Sequence, residues 1–316
     1  MKITILDGFG LNPGDLSWKD FEELGEVKVY DRTSPSEVIE RSQESEVLLT
    51  NKTVIDADTI EALPMLKYIG VLATGYNVVD VEAARKRGIV VTNIPSYSTM
   101  SVAQRVFSLL LAVTDRSEHY AQENREGAWT RSKDFCWWDT PLTELSGKKF
   151  GIIGMGNIGK AVSRIALAFD MEVLVYSSKP AEELPSGVKK SSLKDLYINS
   201  DVISLHCPLT ADTRNIINKK SLSLMKNGVI LINTGRGGLI DEKDVAEALK
   251  SGKLGAFCAD VLSCEPPTND NPLLTAPNSY ITPHIAWATK EARTRLMNIA
   301  VTNLRQFLGG TPINQV

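Results

Sequence analysis

The stretch that decides the fold is Gly154-Met155-Gly156-Asn157-Ile158-Gly159. The apolar run Phe150–Ile153 before it predicts a buried strand, and the amphipathic segment Ile158–Phe169 after it predicts a helix. In this context the first glycine permits a tight turn, the second lets a pyrophosphate approach the backbone, and the third lets helix and strand pack closely. The phosphates would then bind the N–H groups at the helix N-terminus. The stretch therefore predicts a dinucleotide site, with a glycine-rich turn that binds nothing as the alternative.

Strands and helices alternate along most of the chain, which predicts parallel sheets covered by helices on both faces. In the first third we predict strands at Lys2–Leu6, Val27–Tyr30, Val47–Thr50, Tyr68–Leu72 and Ile89–Thr92. Further on we predict Phe150–Ile153, Glu172–Tyr176, Val202–Cys207, Val229–Asn233, Ala256–Asp260 and Tyr280–Thr282. These last six are the number that two βαβαβ halves require. We therefore predict an α/β protein, with a Rossmann-type doubly wound domain and a smaller flavodoxin-like domain.

Two long helical patterns indicate how the chain is divided. The first, from Ser101, places five apolar side chains on one stripe: Val102, Val106, Leu109, Leu110 and Val113. The second runs from about Thr289 to Leu308, and too little chain surrounds it to form another domain. We therefore expect it to return to the first domain. The predicted division is a substrate-binding domain of residues 1–100 and 287–316, a dinucleotide-binding domain of residues 101–286, and a cleft between them.

Composition excludes several classes of partner. The 316 residues are 43% apolar and 23% charged, with a formal net charge of −3 and no long basic run. This argues against nucleic acid or an anionic membrane surface as a partner. The four cysteines form no C-x-x-C pair, so we expect reduced, buried thiols and neither a disulfide framework nor a metal site. With no signal peptide and no long apolar run, we expect a cytoplasmic protein.

Three polar side chains follow predicted strands of the second domain. Arg236 lies in a glycine-rich segment after one strand, Glu265 follows the next, and His284 comes directly after Thr282-Pro283. Open α/β sheets bind their ligands at this carboxyl edge. Each residue alone could be an ordinary loop side chain, but together they offer a guanidinium, an imidazole and a carboxylate to one crevice.

These three groups suit hydride exchange between a nicotinamide and a 2-hydroxy acid. A guanidinium can hold the substrate carboxylate at two points and polarise the adjacent carbonyl. An imidazole can give a proton to the forming alkoxide or take it back. A carboxylate bound to that imidazole favours its protonated form and fixes its orientation. The other histidines lack this setting: His119 is expected on the surface and His206 is expected to pack at a strand end.

Further motifs identify a resemblance that covers nearly the whole chain. They are Ala73–Asp80, Pro95–Thr99, Gly154–Gly159, His206–Thr210, Asn233–Gly237, Asp260–Pro266 and Pro283–Thr289. Through them the chain resembles the D-isomer-specific 2-hydroxyacid dehydrogenases. Within that family, the segments Asp134–Leu142 and Ile285–Thr289 resemble the branch that interconverts glycerate and hydroxypyruvate.

The resemblance implies that Arg236, Glu265 and His284 are the catalytic residues, with Thr74 and Gly75 joining Arg236 and His284 in binding substrate. It implies that Asp260 meets the nicotinamide carboxamide. Together with the glycine-rich turn and the segment after the second strand, the predicted cofactor contacts are Gly154, Gly156, Asn157, Ile158, Gly159, Ser177, Ser178, Lys179, Cys207, Pro208, Thr213, Thr234 and Asp260. It also implies a homodimer joined through the dinucleotide-binding domain. An aromatic residue of the Trp129–Trp138 loop either reaches the partner's pocket or only packs the dimer.

One departure concerns the choice between NAD and NADP. A site that prefers NAD usually ends its second strand with an acid that binds the ribose 2′-hydroxyl. Here Val173–Tyr176 continues into Ser177-Ser178-Lys179, and the first acid is Glu182. Because no carboxylate repels a 2′-phosphate, we expect NADP to be accepted. Lysine indicates a 2′-phosphate site less clearly than arginine does, so the sequence does not decide between NAD and NADP.

Two functions are compatible with these residues. The first is an NAD(P)H-dependent reductase of hydroxypyruvate or glyoxylate, which in reverse oxidises D-glycerate. The second is a nicotinamide-sensing, corepressor-like interaction protein, which could keep the same three residues on the same fold. We expect no recruiting extension beyond the two-domain core, which favours the enzyme. The sequence does not rank the 2-oxo acids, because selectivity among them depends on loop geometry.

Overall fold

A computed structural model describes all residues of the chain, 1–316, as two compact units. Unit 1 consists of Met1–Ser98 and Trp287–Val316, and unit 2 of Thr99–Ala286. Helices and strands are numbered below in chain order. No helix combines the length and the apolar character that a membrane span requires.

Unit 1 contains a five-stranded parallel sheet in the order β2-β1-β3-β4-β5. Its strands are β1 (Lys2–Ile5), β2 (Glu26–Val29), β3 (Val47–Thr50), β4 (Tyr68–Val71) and β5 (Val90–Thr92). Its helices are α1 (Lys19–Glu22), α2 (Val38–Ser42), α3 (Ala57–Ala62), α4 (Val81–Lys86) and α11 (Lys290–Leu308). Strands β3 and β4 are buried at every position, as expected for a parallel sheet covered on both faces.

Helix α11 belongs to the core of unit 1, although nearly 200 residues separate it from the rest of that unit. Thr289 caps its N-terminus by accepting a hydrogen bond from the Ala292 N–H, and Gly309 follows its last residue. Its apolar side, including Leu296 and Leu304, packs in one cluster with the β1 residue Ile3. Burial of this stripe, more than helix propensity, fixes the helix in unit 1.

Unit 2 contains a seven-stranded parallel sheet in the order β12-β11-β10-β9-β6-β7-β8. Its strands are β6 (Lys149–Ile153), β7 (Glu172–Tyr176), β8 (Val188–Lys190), β9 (Val202–Leu205), β10 (Val229–Asn233), β11 (Leu254–Ala259) and β12 (Ser279–Ile281). Its helices are α5 (Thr99–Thr114), α6 (Ser117–Arg125), α7 (Asn157–Ala168), α8 (Leu193–Asn199), α9 (Lys219–Leu224) and α10 (Glu242–Lys250). The α/β class and the doubly wound Rossmann topology predicted from the sequence are confirmed.

The predicted count of six strands in this sheet is wrong, because β8 was missed. This strand has only three residues, Val188-Lys189-Lys190, and the two lysines are exposed. It lies at the edge of the sheet and pairs only with β7. An edge strand needs little apolar sequence, since solvent covers one side of it, so hydrophobic patterning does not detect it.

The cysteines also differ in part from the expectation of buried thiols. All four are free, but only Cys258 in β11 is fully buried, while Cys264 is exposed. Cys207 lies after β9 and not within it, and it is half-buried. Burial raises the pKa of the Cys258 thiol to about 12, so this side chain behaves as a small apolar group.

Candidate active site

Three loops of unit 2 contact one another at the carboxyl edge of its sheet. The loop after β10 packs directly on the loop after β11: a Cβ atom on Gly237 would lie 1.9 Å from the carbonyl carbon of Leu262. The loop after β11 is joined to the loop after β12 by a hydrogen bond between Glu265 and His284. The tertiary structure therefore brings together the segments that carry Arg236, Glu265 and His284.

His284 and Glu265 form a close imidazole–carboxylate pair at this edge. The Nδ1 atom of His284 lies 2.6 Å from Oε2 of Glu265, and Oε1 of Glu265 accepts the Leu262 N–H at 3.0 Å. About a third of each side chain is exposed (31% and 35%). Because Nδ1 is bound to a carboxylate, it carries a proton, and Nε2 is left to face a ligand. This arrangement can deliver or accept one proton at Nε2.

The backbone at His284 adopts an uncommon conformation. Its φ of +53° lies in the left-handed region, which costs a residue with a Cβ atom about 1 kcal/mol. The His284 N–H donates to the carbonyl of Thr282 at 3.0 Å, which holds the turn in place. Such strained residues concentrate at functional sites, because the surrounding structure must hold them there.

The buried carboxylate of Asp260 anchors the same loop. Its side chain is 1% exposed and accepts three hydrogen bonds. Oδ1 accepts from the Thr282 hydroxyl at 2.5 Å and from the Ile285 N–H at 3.0 Å, and Oδ2 accepts from the Ala286 N–H at 2.7 Å. Asp260 thus fixes the residues on either side of His284. Its contact with a nicotinamide carboxamide stays a prediction.

The Arg236 side chain is exposed, and the turn that carries it is held by the buried side chain of Asn233. Its guanidinium Nη1 donates to the carbonyl of Gly235 at 2.8 Å and forms no ion pair with Glu265. The fully buried Asn233 accepts the Gly235 N–H at 3.1 Å and donates to the Arg236 carbonyl at 2.9 Å. The turn is therefore fixed, and the cation is left for an external anion.

Glu242 is a supporting residue that our sequence analysis missed. Its Oε1 accepts the Ser263 N–H at 2.7 Å and its Oε2 accepts from the Asn271 side chain at 2.9 Å. It thus holds the loop that carries Glu265. In the sequence it is an acid in the first turn of α10, a position that acids favour for electrostatic reasons alone. Nothing in the neighbouring sequence indicates that Glu242 also holds the loop of Glu265.

The glycine-rich turn fits a dinucleotide. Gly154 has a φ of +100°, and a Cβ there would lie 2.5 Å from the backbone nitrogen of Cys207. A Cβ on Gly159 would lie 2.3 Å from the Gly154 carbonyl oxygen, whereas a Cβ on Gly156 would meet no atom within 4 Å. The first and third glycines are therefore needed for packing, and open space lies over the second. Helix α7 begins at Asn157 and continues through Ile158, and its cap, Gly156, has no side chain to close the first turn.

Two neighbouring segments also concern the cofactor. The hydroxyl of Thr234 is buried and has no hydrogen-bond partner, so it is available to a ligand. By contrast, the Thr213 hydroxyl donates to the Pro208 carbonyl at 2.6 Å and accepts the Thr210 N–H at 2.8 Å. Thr213 thus shapes the loop that follows Cys207. The unpartnered Thr234 hydroxyl therefore offers a hydrogen bond to a ligand directly after β10.

The loop after β7 is more open than the other predicted cofactor segments. Ser178 is exposed, and the Ser177 hydroxyl accepts the Lys179 N–H at 3.2 Å. The Lys179 ammonium lies 3.9 Å from Oε2 of Glu183, at two partly exposed side chains. An exposed pair at this distance is weak, but the carboxylate offsets part of the lysine charge.

Thr74 and Gly75, the remaining predicted substrate residues, belong to unit 1 and follow β4. The Thr74 hydroxyl donates to the Ile94 carbonyl at 2.7 Å, and the Thr74 carbonyl accepts from the Asn93 side chain at 2.8 Å. Both sides of this turn are therefore held by the segment after β5.

The two other histidines occupy different settings. Nε2 of His206 lies 2.8 Å from the Ser204 hydroxyl, and burial lowers the pKa of His206 to about 4. His206 is therefore neutral at pH 7 and satisfied, as expected. His119 is only partly exposed, because its Nε2 lies 2.8 Å from Oδ2 of Asp139. This bond holds the pKa of Asp139 below its ordinary value.

Comparison with known proteins shows the family of this chain. Residues 107–286 match the family model of the D-isomer specific 2-hydroxyacid dehydrogenase, NAD binding domain. The chain is 51% identical to a hydroxypyruvate reductase of Blautia hydrogenotrophica, covering 100% of this chain and 99% of that protein. It is 41% identical to a glycerate dehydrogenase of Methylorubrum extorquens, covering 100% and 98%.

A solved structure is similar along the whole chain as well. An acyclic imino acid reductase (Bsp5) in complex with NADPH and D-Arg superimposes with a TM-score of 0.84 at 33% identity, covering 100% of both chains. The family model covers more than half of this chain, and the relatives match it from end to end. The protein therefore belongs to the D-isomer specific 2-hydroxyacid dehydrogenase family.

Proposed function

We propose that this enzyme reduces hydroxypyruvate to D-glycerate with a reduced nicotinamide cofactor, accepts glyoxylate as a second substrate, and catalyses the reverse oxidation. The observation that carries the proposal is the 2.6 Å bond between His284 Nδ1 and Glu265 at the carboxyl edge of a dinucleotide-binding sheet. The names of the two full-length relatives support the choice of hydroxypyruvate and glycerate.

In this mechanism Arg236 binds the substrate carboxylate. Its turn is fixed and its guanidinium forms no ion pair within the chain. Both features suit a planar, two-point contact that also polarises the neighbouring carbonyl. Backbone N–H groups at Thr74 and Gly75 would supply further hydrogen bonds to the substrate carboxylate. We accordingly assign residues 1–100 and 287–316 to substrate binding and residues 101–286 to dinucleotide binding.

His284 is the acid and base of the reaction. The bound nicotinamide supplies or accepts the hydride. As negative charge develops on the substrate oxygen during reduction, the Nε2 proton of His284 moves to it, and in the reverse direction Nε2 accepts the proton. The Glu265 carboxylate accepts a hydrogen bond from Nδ1, which fixes the orientation of the ring, and stabilises the positive charge of the imidazolium.

The cofactor would be held by the turn Gly154–Gly159 and by three further loops. The remaining contacts would come from Ser177, Ser178, Lys179, Cys207, Pro208, Thr213, Thr234 and Asp260. Because no acid ends β7, we propose that NADPH is accepted alongside NADH or in preference to it. The NADPH complex of the similar imino acid reductase supports this choice, whereas Glu183 beside Lys179 weakens it.

We further propose a homodimer joined through unit 2. In its loop 129–138, Phe135 is 89% and Trp138 is 66% exposed, and exposed aromatic side chains that cluster favour an interaction surface. Trp137, by contrast, donates to the Asn124 side chain at 3.0 Å and contacts Tyr120. Trp138 is therefore the better candidate to contact a second copy, either by packing or by reaching its pocket.

A substrate panel tests the proposal most directly. NADH and NADPH oxidation would be measured with hydroxypyruvate, glyoxylate, pyruvate and 2-oxobutyrate at matched concentrations. We expect the highest kcat/KM with hydroxypyruvate, then glyoxylate, because the two full-length relatives are named for hydroxypyruvate and glycerate and less similar relatives are glyoxylate reductases. Preference for pyruvate by more than tenfold would contradict the substrate assignment but not the reaction class. Absence of turnover with every acid would instead favour the corepressor-like alternative, which none of the relatives named above supports.

A further inference from the structure

Strand β8, which sequence patterning missed, places a second lysine beside the loop after β7, which we propose to bind the adenosine ribose. It pairs in parallel with β7, with Lys190 opposite Val175, and the Ser191 N–H donates to the Val175 carbonyl at 2.8 Å. Parallel strands end at the same edge of a sheet. Lys190 therefore lies level with the end of β7, where Ser177–Lys179 begins.

The Lys190 ammonium is bonded to that loop. Its Nζ donates to the carbonyl oxygen of Lys179 at 2.6 Å. The side chain is exposed, and it takes part in none of the ion pairs of this chain, whereas Lys179 faces Glu183 at 3.9 Å. Of the two lysines, Lys190 is thus the one whose charge no carboxylate offsets.

From this geometry we propose that Lys190 is a specificity-determining residue that binds the 2′-phosphate of NADPH. The inference rests on the proposed use of NADPH and names a residue responsible for it. A 2′-phosphate carries nearly two negative charges and strong acceptor oxygens. An ammonium has three N–H donors, so Lys190 can keep its bond to the Lys179 carbonyl and still donate to the phosphate. NADH offers only a neutral hydroxyl at that position and gains little from this cation.

The chain provides a matched control in the preceding residue. Lys189 has the same charge and lies on the same strand, but side chains alternate between the two faces. Its Nζ lies 3.5 Å from Oε2 of Glu172, at the opposite end of β7. Lys189→Gln removes the same net charge as Lys190→Gln, without touching the loop after β7.

The test measures binding of 2′,5′-ADP and 5′-AMP by calorimetry, together with KM for NADPH and NADH. Lys190→Gln should weaken 2′,5′-ADP binding about five- to tenfold, which is the range for an exposed charged hydrogen bond. Binding of 5′-AMP and KM for NADH should stay within about twofold of the wild type. Lys190→Arg should restore most of the loss, and Lys189→Gln should leave both ligands unchanged.

The outcomes separate this inference from the function on which it rests. If the wild type binds 2′,5′-ADP no more tightly than 5′-AMP and uses only NADH, the proposed acceptance of NADPH fails, and the role of Lys190 fails with it. If the wild type uses NADPH but Lys190→Gln changes nothing, only the role of Lys190 is overturned. Equal losses in the Lys189 and Lys190 variants would also overturn it, because net charge alone would then explain the effect.

Discussion

The ends of β9 and β12 present two histidines in contrasting environments at the same edge of one sheet. His206, after β9, has its Nε2 atom 2.8 Å from the Ser204 hydroxyl, and its pKa is lowered to about 4 by burial. His284, after β12, is bonded to the Glu265 carboxylate and has about a third of its side chain exposed. Position at the edge of the sheet is common to both, so it does not by itself make a histidine an acid or base.

What differs is the hydrogen-bond partner of each ring, together with the desolvation of His206. A hydroxyl can bond to a neutral imidazole without favouring its charged form, and burial then keeps the ring neutral. A carboxylate favours the imidazolium and fixes which nitrogen carries the first proton. The comparison teaches that proton transfer at this edge depends on Glu265, a residue that is 19 positions away in the sequence.

The largest expected effect concerns the two histidines directly. His284→Ala should lower kcat by about 10² to 10⁴-fold, the usual contribution of a general acid or base, with cofactor binding nearly unchanged. His206→Gln should keep kcat within about threefold, because its ring donates no proton to substrate. Steady-state kinetics with hydroxypyruvate measures both. Similar losses in the two variants would remove the distinction that we draw between them.

Arg236→Lys tests whether the contact with the substrate carboxylate is planar and two-point. Loss of one charged hydrogen bond costs about 1.5–3 kcal/mol, so kcat/KM should fall about 10- to 150-fold although the charge is kept. KM for the cofactor should not change. A loss confined to cofactor binding would place Arg236 outside the substrate site.

His206 should make the protein sensitive to acid. Its folded-state pKa of about 4 lies below the ordinary value of 6.5, so its contribution to stability is complete above pH 6.5 and is lost as the pH falls toward 4. At pH 4.5 the loss should be about 2–3 kcal/mol in the free energy of unfolding. Urea unfolding at pH 7.5 and 4.5 should show this loss in the wild type and a smaller one in His206→Gln. Equal pH dependence in the two proteins would show that His206 is not buried as a neutral group.

Glu265→Gln sharpens the comparison by making the partner of His284 neutral, as the partner of His206 is. The amide oxygen can still accept from Nδ1, but the bond loses its charged component, so kcat should fall about five- to tenfold. Reduction needs the protonated imidazole, so the pH at which its rate is halved should also move lower. The pH profile distinguishes this role from a purely structural one, which would leave the half-rate pH in place.

Ser177→Asp should have the smallest effect, a few-fold shift in the kcat/KM ratio toward NADH. The added carboxylate would accept hydrogen bonds from the ribose hydroxyls and repel a 2′-phosphate. Because the loop is exposed and Lys179 and Lys190 are close to it, solvent and these cations limit the effect. Ser178→Asp in the same assay serves as a positional control. If the wild type is strictly NADH-dependent and Ser177→Asp changes nothing, other groups hold the ribose.

Local sequence predicted the elements that have strong hydrophobic patterns or caps. The stripe on α5 is buried at Val102, Val106, Leu109 and Leu110, with Val113 partly buried, and α11 begins and ends within one residue of its predicted bounds. The glycine-rich turn lies between β6 and α7 as its motif predicted. Such features are local, because one face of a helix or one turn suffices to impose them.

The sequence by itself thus determined the fold class, the dinucleotide turn and the three side chains at strand ends, because periodicity and glycine placement are readable along the chain. Only the tertiary structure decided that Asp260 and Asn233 are buried anchors of the loops carrying His284 and Arg236, and that Glu242 holds the loop of Glu265. It alone also placed the exposed edge strand β8, with Lys190, beside Lys179. The reason is physical. The partner of a polar side chain depends on which strands and loops lie next to it, and a short edge strand forms because it pairs with its neighbour. Neither kind of contact leaves a periodic pattern in the sequence.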